Sequence, residues 1–225
     1  MTLERNLLIS ILKLTKTGHV QRELVSRDSR VPVQVADEIL KKLPNIGLIS
    51  YGSGLVKVSS SQRVKIAVRA VELGADFERA CGVLEWNEFE EIAAKAFEAN
   101  DYVVKKRFRF KWMGRRSEID VLGCKQPLVA CVDCKHWRRG WRTSAIMRVV
   151  EAQVKRTRAL AEGLLSLREK VGLVNWKEAV LVPVVLSLVP SPFKFYNKVP
   201  IVPVLQLPNF LNELSANLSD LTHFS

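Results

Sequence analysis

The sequence predicts an α/β protein with a mixed sheet flanked by helices, and two observations carry this prediction. Residues 103–112 alternate between apolar and basic side chains, which is typical of a strand with one buried face. Helical spacing of apolar residues precedes this strand at 86–100 and returns after Thr143 or Ser144, either of which can cap a helix. Further strands are predicted at 118–122, 128–136, 179–189 and 199–207, with a long helix from 143 to about 170 and a short one at 209–218. The order helix, three-strand meander, helix, strand, strand, helix indicates one mixed sheet covered by helices.

The first 74 residues predict a separate small domain. Helices are predicted at 3–16, at 20–28 and again from Pro32, and two short strands surround the glycine-rich residues 52–54, which is a hairpin signal. Three helices followed by a hairpin resemble a winged helix-turn-helix. A connecting helix then leads to the second domain, which gives predicted domains of 1–74 and 75–225.

The third helix of such a domain usually enters a DNA major groove. Here that helix carries Asp37 and Glu38, whose charges would repel phosphate. DNA binding and contact with a protein partner therefore both stay open for this domain.

The net charge of +12 is concentrated in one part of the chain. Residues 101–160 hold 16 basic and 5 acidic side chains, a net charge of +11. A polyanion partner is the natural interpretation, and nucleic acid is the commonest polyanion. A basic face that only meets solvent is the alternative.

Other features limit the class of protein. No apolar run reaches the roughly 18–20 residues that span a bilayer, and the amphipathic N-terminus does not resemble a signal peptide. A cytoplasmic protein with no membrane partner is expected. Cys131 and Cys134 form a C-x-x-C pair, but the surrounding sequence is that of a buried strand, whose side chains at i and i+3 point to opposite faces. Core cysteines are therefore favoured over a zinc site.

Acidic residues and a lysine recur on two of the predicted strands. Alternation places Glu118 and Asp120 on one face of the second strand, opposite Ile119 and Val121. In the third strand Asp133 and Lys135 share a face. Because a hairpin would place these strands side by side, Asp120, Asp133 and Lys135 are expected to converge. Carboxylates on apolar strands need a partner, which is either a structural ion pair or a hard cation such as Mg²⁺ or Mn²⁺.

The pattern Glu-Ile-Asp120 followed by Asp133-Cys-Lys135 resembles the PD-(D/E)xK nuclease superfamily, the fold of restriction endonucleases and archaeal Holliday junction resolvases. The resemblance covers roughly residues 83–207 and implies a restriction endonuclease-like fold with a Mg²⁺ or Mn²⁺ site. It also implies a carboxylate from the first helix. Because a phenylalanine precedes that glutamate in the branch that cuts modified DNA, Glu90 is the first choice, with Glu88 and Glu91 as fallbacks.

The resemblance adds further site residues. Family members often carry a glutamine on the helix after the lysine strand, and Gln153 matches this position. The implied catalytic set is then Glu90, Asp120, Asp133, Lys135 and Gln153, with the first three as metal ligands. Five arginines near the strands are expected to bind nucleic-acid phosphate: Arg115, Arg116, Arg138, Arg139 and Arg142.

These observations predict a Mg²⁺-dependent deoxyribonuclease that hydrolyses DNA phosphodiester bonds as an endonuclease. The first alternative is a DNA-binding or regulatory winged-helix protein in which the nuclease fold is a scaffold. The second is a resolvase of branched DNA, which predicts a symmetric homodimer.

Overall fold

The computed structural model describes residues 2–76, 79–80, 82–135, 143–187 and 191–225. The chain forms two compact units, Met1–Phe89 and Glu90–Ser225. The predicted boundary at 74/75 lies earlier in the chain than this division. Within the described ranges, no helix is long and apolar enough to cross a membrane.

The first unit is built from helices and a small sheet. Its elements are α1 (Thr2–Leu14), β1 (Val20–Gln21), α2 (Arg22–Ser29), α3 (Val33–Lys42), β2 (Ser50–Gly52), β3 (Leu55–Lys57) and α4 (Ser60–Glu72). The three strands pair antiparallel in the order β1-β3-β2. The helices and the β2–β3 hairpin have the order of a winged helix, while β1 is an additional short strand that sequence periodicity did not predict. Ser59 starts α4 with a capping box, in which Gln62 is the reciprocal partner.

The predicted third helix, α3, has its Asp37 carboxylate surrounded by partners. Arg22 Nη1 lies 3.0 Å from Oδ1 and Lys41 Nζ lies 2.7 Å from Oδ2, and the Tyr51 hydroxyl donates to Oδ1. Hydrogen bonds from Lys41, then Tyr51 and Arg22, hold the pKa of Asp37 well below its ordinary value. The expected repulsion of phosphate by Asp37 is thus offset locally, whereas Glu38 is exposed.

The second unit contains the larger sheet. Helix α5 (Trp86–Glu98) contains the division between the units and is followed by β4 (Val103–Trp112), β5 (Arg115–Lys125), β6 (Leu128–Lys135), α6 (Thr143–Glu162), α7 (Leu164–Val171), β7 (Val180–Ser187), β8 (Phe195–Tyr196), β9 (Val199–Pro203) and α8 (Leu207–Glu213). The strand order is β4-β5-β6-β7-β9-β8. The meander β4-β5-β6 is antiparallel, whereas β6, β7 and β9 are parallel, so the predicted α/β class with a mixed sheet is confirmed.

One predicted helix is divided in two. The helix expected from 143 to about 170 ends at Glu162, and α7 begins at Leu164. A Cβ atom on Gly163 would lie 2.8 Å from Cε3 of Trp112. Because the Trp112 ring packs against this glycine, the site of the break depends on a tertiary contact that periodicity does not reveal.

Gly123 allows α5 to pack closely on β5. An added Cβ there would lie 2.4 Å from Cδ1 of Phe97, a fully buried ring that packs edge-on against Tyr102 at 5.2 Å. We expect Gly123→Ala to destabilise the protein by about 1–3 kcal/mol through overpacking. Urea unfolding measures this loss, with Gly52→Ala as the control because a Cβ on Gly52 meets open space. Equal unfolding midpoints for the two variants would contradict the packing argument.

Candidate active site

Asp120 lies where the pairing of β5 with β6 stops. The antiparallel ladder ends at Val121↔Val132, one residue before Asp120 and Asp133 would face each other. There the Cys134 N–H donates to Oδ2 of Asp120 at 2.8 Å. The Asp120 carboxylate thus takes the place of a ladder acceptor and joins the two strands at the point where they separate.

The pairing of β5 with its other neighbour is interrupted at the same residue. Pairs form at Lys106↔Val121 and Phe108↔Ile119, but Arg107 and Asp120 between them are left out of the ladder. Arg107 has a φ of 50°. The predicted strict alternation of β5 is wrong at this point, because Ile119 and Leu122 pack in the same hydrophobic cluster although they are three residues apart. The backbone irregularity at Arg107 and Asp120 accounts for the change of face.

Asp133 is a buried carboxylate with two cationic neighbours. It is 2% exposed. Lys135 Nζ lies 2.8 Å from Oδ2, and the Arg156 guanidinium contacts Oδ1. In the part of the chain that the structure describes, no donor reaches Oδ2 with good hydrogen-bond geometry, although the lysine is near. Asp133 and Lys135 therefore meet as predicted, and Oδ2 keeps capacity to accept another ligand.

Gln153 connects α6 to β6. It is fully buried, and its Nε2 donates to the Cys131 carbonyl at 2.6 Å. Arg156 Nε donates to Oε1 of Gln153 at 3.0 Å. The glutamine thus orients Arg156, which in turn contacts Asp133. Sequence reasoning missed Arg156, although its position three residues after Gln153 on a helix places the two side chains on one face.

The three candidate glutamates of α5 have different surroundings. Glu90 is 5% exposed, and Arg107 Nε donates to its Oε2 at 2.9 Å. Glu88 forms a buried ion pair with Arg63, and Glu91 forms surface pairs with lysines. Of the three, Glu90 is the glutamate whose arginine partner occupies the register position opposite Asp120, and its negative charge raises the pKa of Asp120.

Burial and the neighbouring charges together make the ionised form of Asp120 unfavourable. Burial raises the pKa of Asp120 to about 6, and the negative charges of Asp133 and Glu90 add to this effect. The Cys134 N–H and the Lys135 ammonium act in the opposite direction. Burial, more than a local excess of negative charge, therefore makes the ionised form of Asp120 unfavourable in the folded protein.

The carboxylate ligands at this site are of the type that a hard cation such as Mg²⁺ prefers, but their arrangement in the structure is not that of a formed metal site. Carboxylate oxygens are the ligands that Mg²⁺ prefers, and the buried Oδ2 of Asp133 lies near Lys135 Nζ but forms no hydrogen bond of good geometry with the described residues. Yet no group of three or more His, Cys, Asp and Glu side chains in the described ranges is arranged to hold a metal ion. Arginine or lysine nitrogens contact both Glu90 and Asp133. Asp120 and Asp133 are the residues that would hold the ion, and Glu90 is paired with Arg107.

A basic groove lies along the β4–β5 hairpin. It has a volume of about 610 Å³, and four cationic side chains line it: Arg109, Lys111, Arg116 and Lys170. Glu118 also lines the groove and is paired with Arg109 at 2.6 Å. Of the predicted phosphate-binding residues, Arg116 is in this groove and Arg115 is exposed beside it, while Arg138, Arg139 and Arg142 lie outside the described residues.

The cysteines of β6 lie in the protein core. Cys131 and Cys134 are both fully buried, and burial raises the pKa of each thiol. Cys131 belongs to the hydrophobic cluster between the sheet and α6–α7. This placement agrees with the interpretation of both as small core residues.

The fold and the site together define a mixed α/β protein with carboxylates and a lysine at an interruption of its central sheet. No protein-family model matches the chain. An uncharacterized protein of Archaeoglobus fulgidus is 33% identical over 138 residues, which is 61% of this chain and 97% of the archaeal protein. The chain belongs to the same family as that protein. The crystal structure of protein VC1899 from Vibrio cholerae aligns with a TM-score of 0.40 and 13% identity, over 97% of this chain and 52% of VC1899.

Proposed function

We propose that the protein is a metal-dependent DNA endonuclease that hydrolyses phosphodiester bonds. The observation that carries the proposal is the position of Asp120, Asp133 and Lys135 at the point where strands β5 and β6 separate. A carboxylate cluster with a lysine where two strands separate is typical of metal-assisted phosphate chemistry. Because charged groups are costly to bury, such a cluster indicates a functional role.

Each residue has a proposed role. Mg²⁺ or Mn²⁺, when bound, would polarise the phosphodiester and make a water molecule more acidic. Asp120 and Asp133 would hold the ion, with Glu90 as a third carboxylate. Lys135, 28% exposed at its side chain, would donate to the phosphate oxygen on which negative charge develops. Gln153 keeps Asp133 in position through Arg156.

The surroundings support a nucleic-acid substrate. The basic groove of the β4–β5 hairpin belongs to the strands that lead to Asp120. Its four cations would neutralise backbone phosphates, and such charge neutralisation supplies most of the non-specific affinity of proteins for DNA. The proposed setting is cytoplasmic, with DNA as the partner.

A cleavage assay on a substrate panel tests the proposal. Wild type, Asp133→Asn and Lys135→Met are incubated with plasmid, linear and four-way-junction DNA in Mg²⁺. We expect Lys135→Met to slow cleavage by roughly 10²–10³-fold, as the loss of one charge-stabilising donor does in other enzymes. Asp101→Asn is the control, because the Asp101 side chain is 88% exposed. Undiminished cleavage by Asp133→Asn or Lys135→Met would overturn the proposed site, and paired symmetric nicks on junctions would narrow the function to a dimeric resolvase.

A DNA-binding or regulatory protein is the second candidate. The contacts of Asp133 with both Lys135 and Arg156 favour it, since a carboxylate neutralised by two cations needs no metal. This candidate predicts salt-sensitive DNA binding, with no cleavage of any substrate in Mg²⁺ or Mn²⁺. Metal-dependent cleavage that Asp133→Asn abolishes would exclude it.

A further inference from the structure

Arg107 has an unfavourable backbone conformation in the middle of β4. Its φ of 50° lies in the left-handed region, which is rare for a non-glycine residue within a strand. The residues on both sides, Lys106 and Phe108, keep their register with β5. Conformations of this kind persist where the surrounding structure holds them, and they are concentrated at functional sites.

The side chain of Arg107 reaches from solvent into the carboxylate cluster. Its Nε donates to Oε2 of Glu90 at 2.9 Å, and the two side chains are 54% and 6% exposed. Arg107 therefore pairs with a buried carboxylate while about half of its own side chain stays exposed. The residue that would continue the register opposite Arg107 is Asp120.

Arg107 lies on an edge strand that carries further cations. β4 is at one edge of the six-stranded sheet. Further along the same strand, Arg109 and Lys111 line the basic groove. Arg107 is thus the cation of this strand whose register position is opposite Asp120, and it precedes the groove residue Arg109 by two positions.

We propose that Arg107 is a substrate ligand, which binds a DNA phosphate beside Asp120 and rests on Glu90 when no DNA is present. The left-handed backbone is what directs its guanidinium toward the site. A guanidinium group can donate two parallel hydrogen bonds to a phosphate as well as to a carboxylate. A DNA phosphate can therefore replace the Glu90 carboxylate as the anionic partner of Arg107. The proposal rests on the proposed nuclease function.

Binding measurements on four full-length proteins test this role. Wild type, Arg107→Ala, Arg107→Gly and Arg107→Lys are titrated with a fluorescent DNA duplex in EDTA, over a series of salt concentrations. We expect Arg107→Ala and Arg107→Gly to weaken binding by about 10-fold or more, the value of a charged hydrogen bond. The slope of log affinity against log salt should fall by about one, since one phosphate contact is lost. Arg107→Lys should restore the slope.

The glycine variant separates the ligand role from folding. Glycine adopts the left-handed conformation without strain, so Arg107→Gly should unfold at a higher urea concentration than Arg107→Ala. Equal loss of DNA affinity in both, despite different stabilities, is the expected result. Arg158→Ala is the matched control, because Arg158 is an exposed arginine of the same unit that lies over the Phe224 ring, away from the lining of the basic groove. Wild-type affinity and salt slope in Arg107→Ala would overturn the proposal.

DNA binding and cleavage by the wild-type protein distinguish failure of the proposed nuclease function from failure of the proposed role of Arg107. DNA binding without metal-dependent cleavage would reject the nuclease function, while the affinities of the Arg107 variants would still decide the ligand role. Failure of wild type to bind DNA at all would reject both. The Glu90→Gln substitution, made in wild type and in Arg107→Ala, completes a double-mutant cycle. Because Glu90→Gln releases Arg107 from its carboxylate partner, it should tighten DNA binding more in the wild-type background than in the Arg107→Ala background. Equal effects in both backgrounds would contradict the exchange between Glu90 and phosphate.

Discussion

Replacing Asp120 by asparagine is expected to reduce metal-dependent DNA cleavage by more than about 100-fold and, at the same time, to stabilise the protein at neutral pH. The loss of activity follows from the proposed metal-ligand role, since even outer-sphere partners of a metal contribute about 10–100-fold. The gain in stability follows from removal of a charge that the fold disfavours. A purely structural Asp120 would not combine these effects.

The pH dependence of the gain in stability follows from the direction of the shift. Because the folded state raises the pKa of Asp120 from 3.8 to about 6, folding favours its protonated form. The stabilising contribution is complete below pH 3.8 and is lost as the pH rises through about 6. A difference of this size corresponds to about 3 kcal/mol, which partial exposure to solvent reduces to about 1–2 kcal/mol. Asp120→Asn should therefore exceed wild type in stability above pH 6 and approach it in acid.

Urea unfolding of wild type and Asp120→Asn at pH 8 and pH 5 measures this difference in EDTA. The expected result is a higher free energy of unfolding for Asp120→Asn at pH 8 and a smaller gap at pH 5. The same proteins are assayed for cleavage in Mg²⁺. A variant that is less stable than wild type at pH 8 would contradict the electrostatic account of the site.

Replacing Arg63 by methionine is expected to cost the first unit about 3–5 kcal/mol of stability, because it would leave Glu88 as an uncompensated buried charge. Arg63 and Glu88 are 5% and 3% exposed. Arg63 Nε donates to Oε1 of Glu88 at 2.5 Å, and its other nitrogens donate to the carbonyls of Leu12 and Val83 at 2.6 and 3.0 Å. Glu88 also accepts the Glu85 N–H at 2.6 Å, so the cluster anchors the start of α5.

A matched surface arginine provides the control for this variant. Arg69 lies on the same helix α4 and pairs with Glu4 and Glu72, but its side chain is 39% exposed. Exposed pairs of this kind are worth about 0–1 kcal/mol, so Arg69→Met should change the melting temperature little. The double variant Arg63→Met with Glu88→Gln should recover part of the loss. Similar melting temperatures for Arg63→Met and Arg69→Met would show that the buried pair does not stabilise the unit.

Two strands of the meander, β4 and β6, could be predicted closely from the sequence, whereas β5 (Arg115–Lys125) extends beyond the predicted 118–122 at both ends. The alternating pattern of β4 and the apolar run of β6 are local properties, and both predicted segments match the observed bounds within the described residues. The break between α6 and α7 could not be predicted, because it depends on the packing of the Trp112 ring against Gly163, a contact between residues distant in sequence. Local patterns identify elements, whereas tertiary contacts decide where they end.

Part of the geometry of the candidate site follows from the sequence. Asp133 and Lys135 share a strand face by simple alternation, and they contact each other. The irregular backbone at Arg107 has no sequence signal, and it removes Asp120 from the alternation on which its expected position depended. Glu90 and Asp133 also have arginine partners on elements distant in sequence, Arg107 and Arg156, which is why single-strand reasoning did not find Arg156.

The central claim is that Asp120 and Asp133 form a metal site, and binding of Mn²⁺ tests it most directly. Mn²⁺ is titrated into the full-length protein at pH 8 and the free ion is followed by electron paramagnetic resonance, for wild type, Asp120→Asn, Asp133→Asn and the control Asp101→Asn. The account predicts saturable binding by wild type and by the control, and at least about 10-fold weaker binding by each site variant. Equal Mn²⁺ affinity in all four proteins, or no saturable binding by wild type, would contradict it.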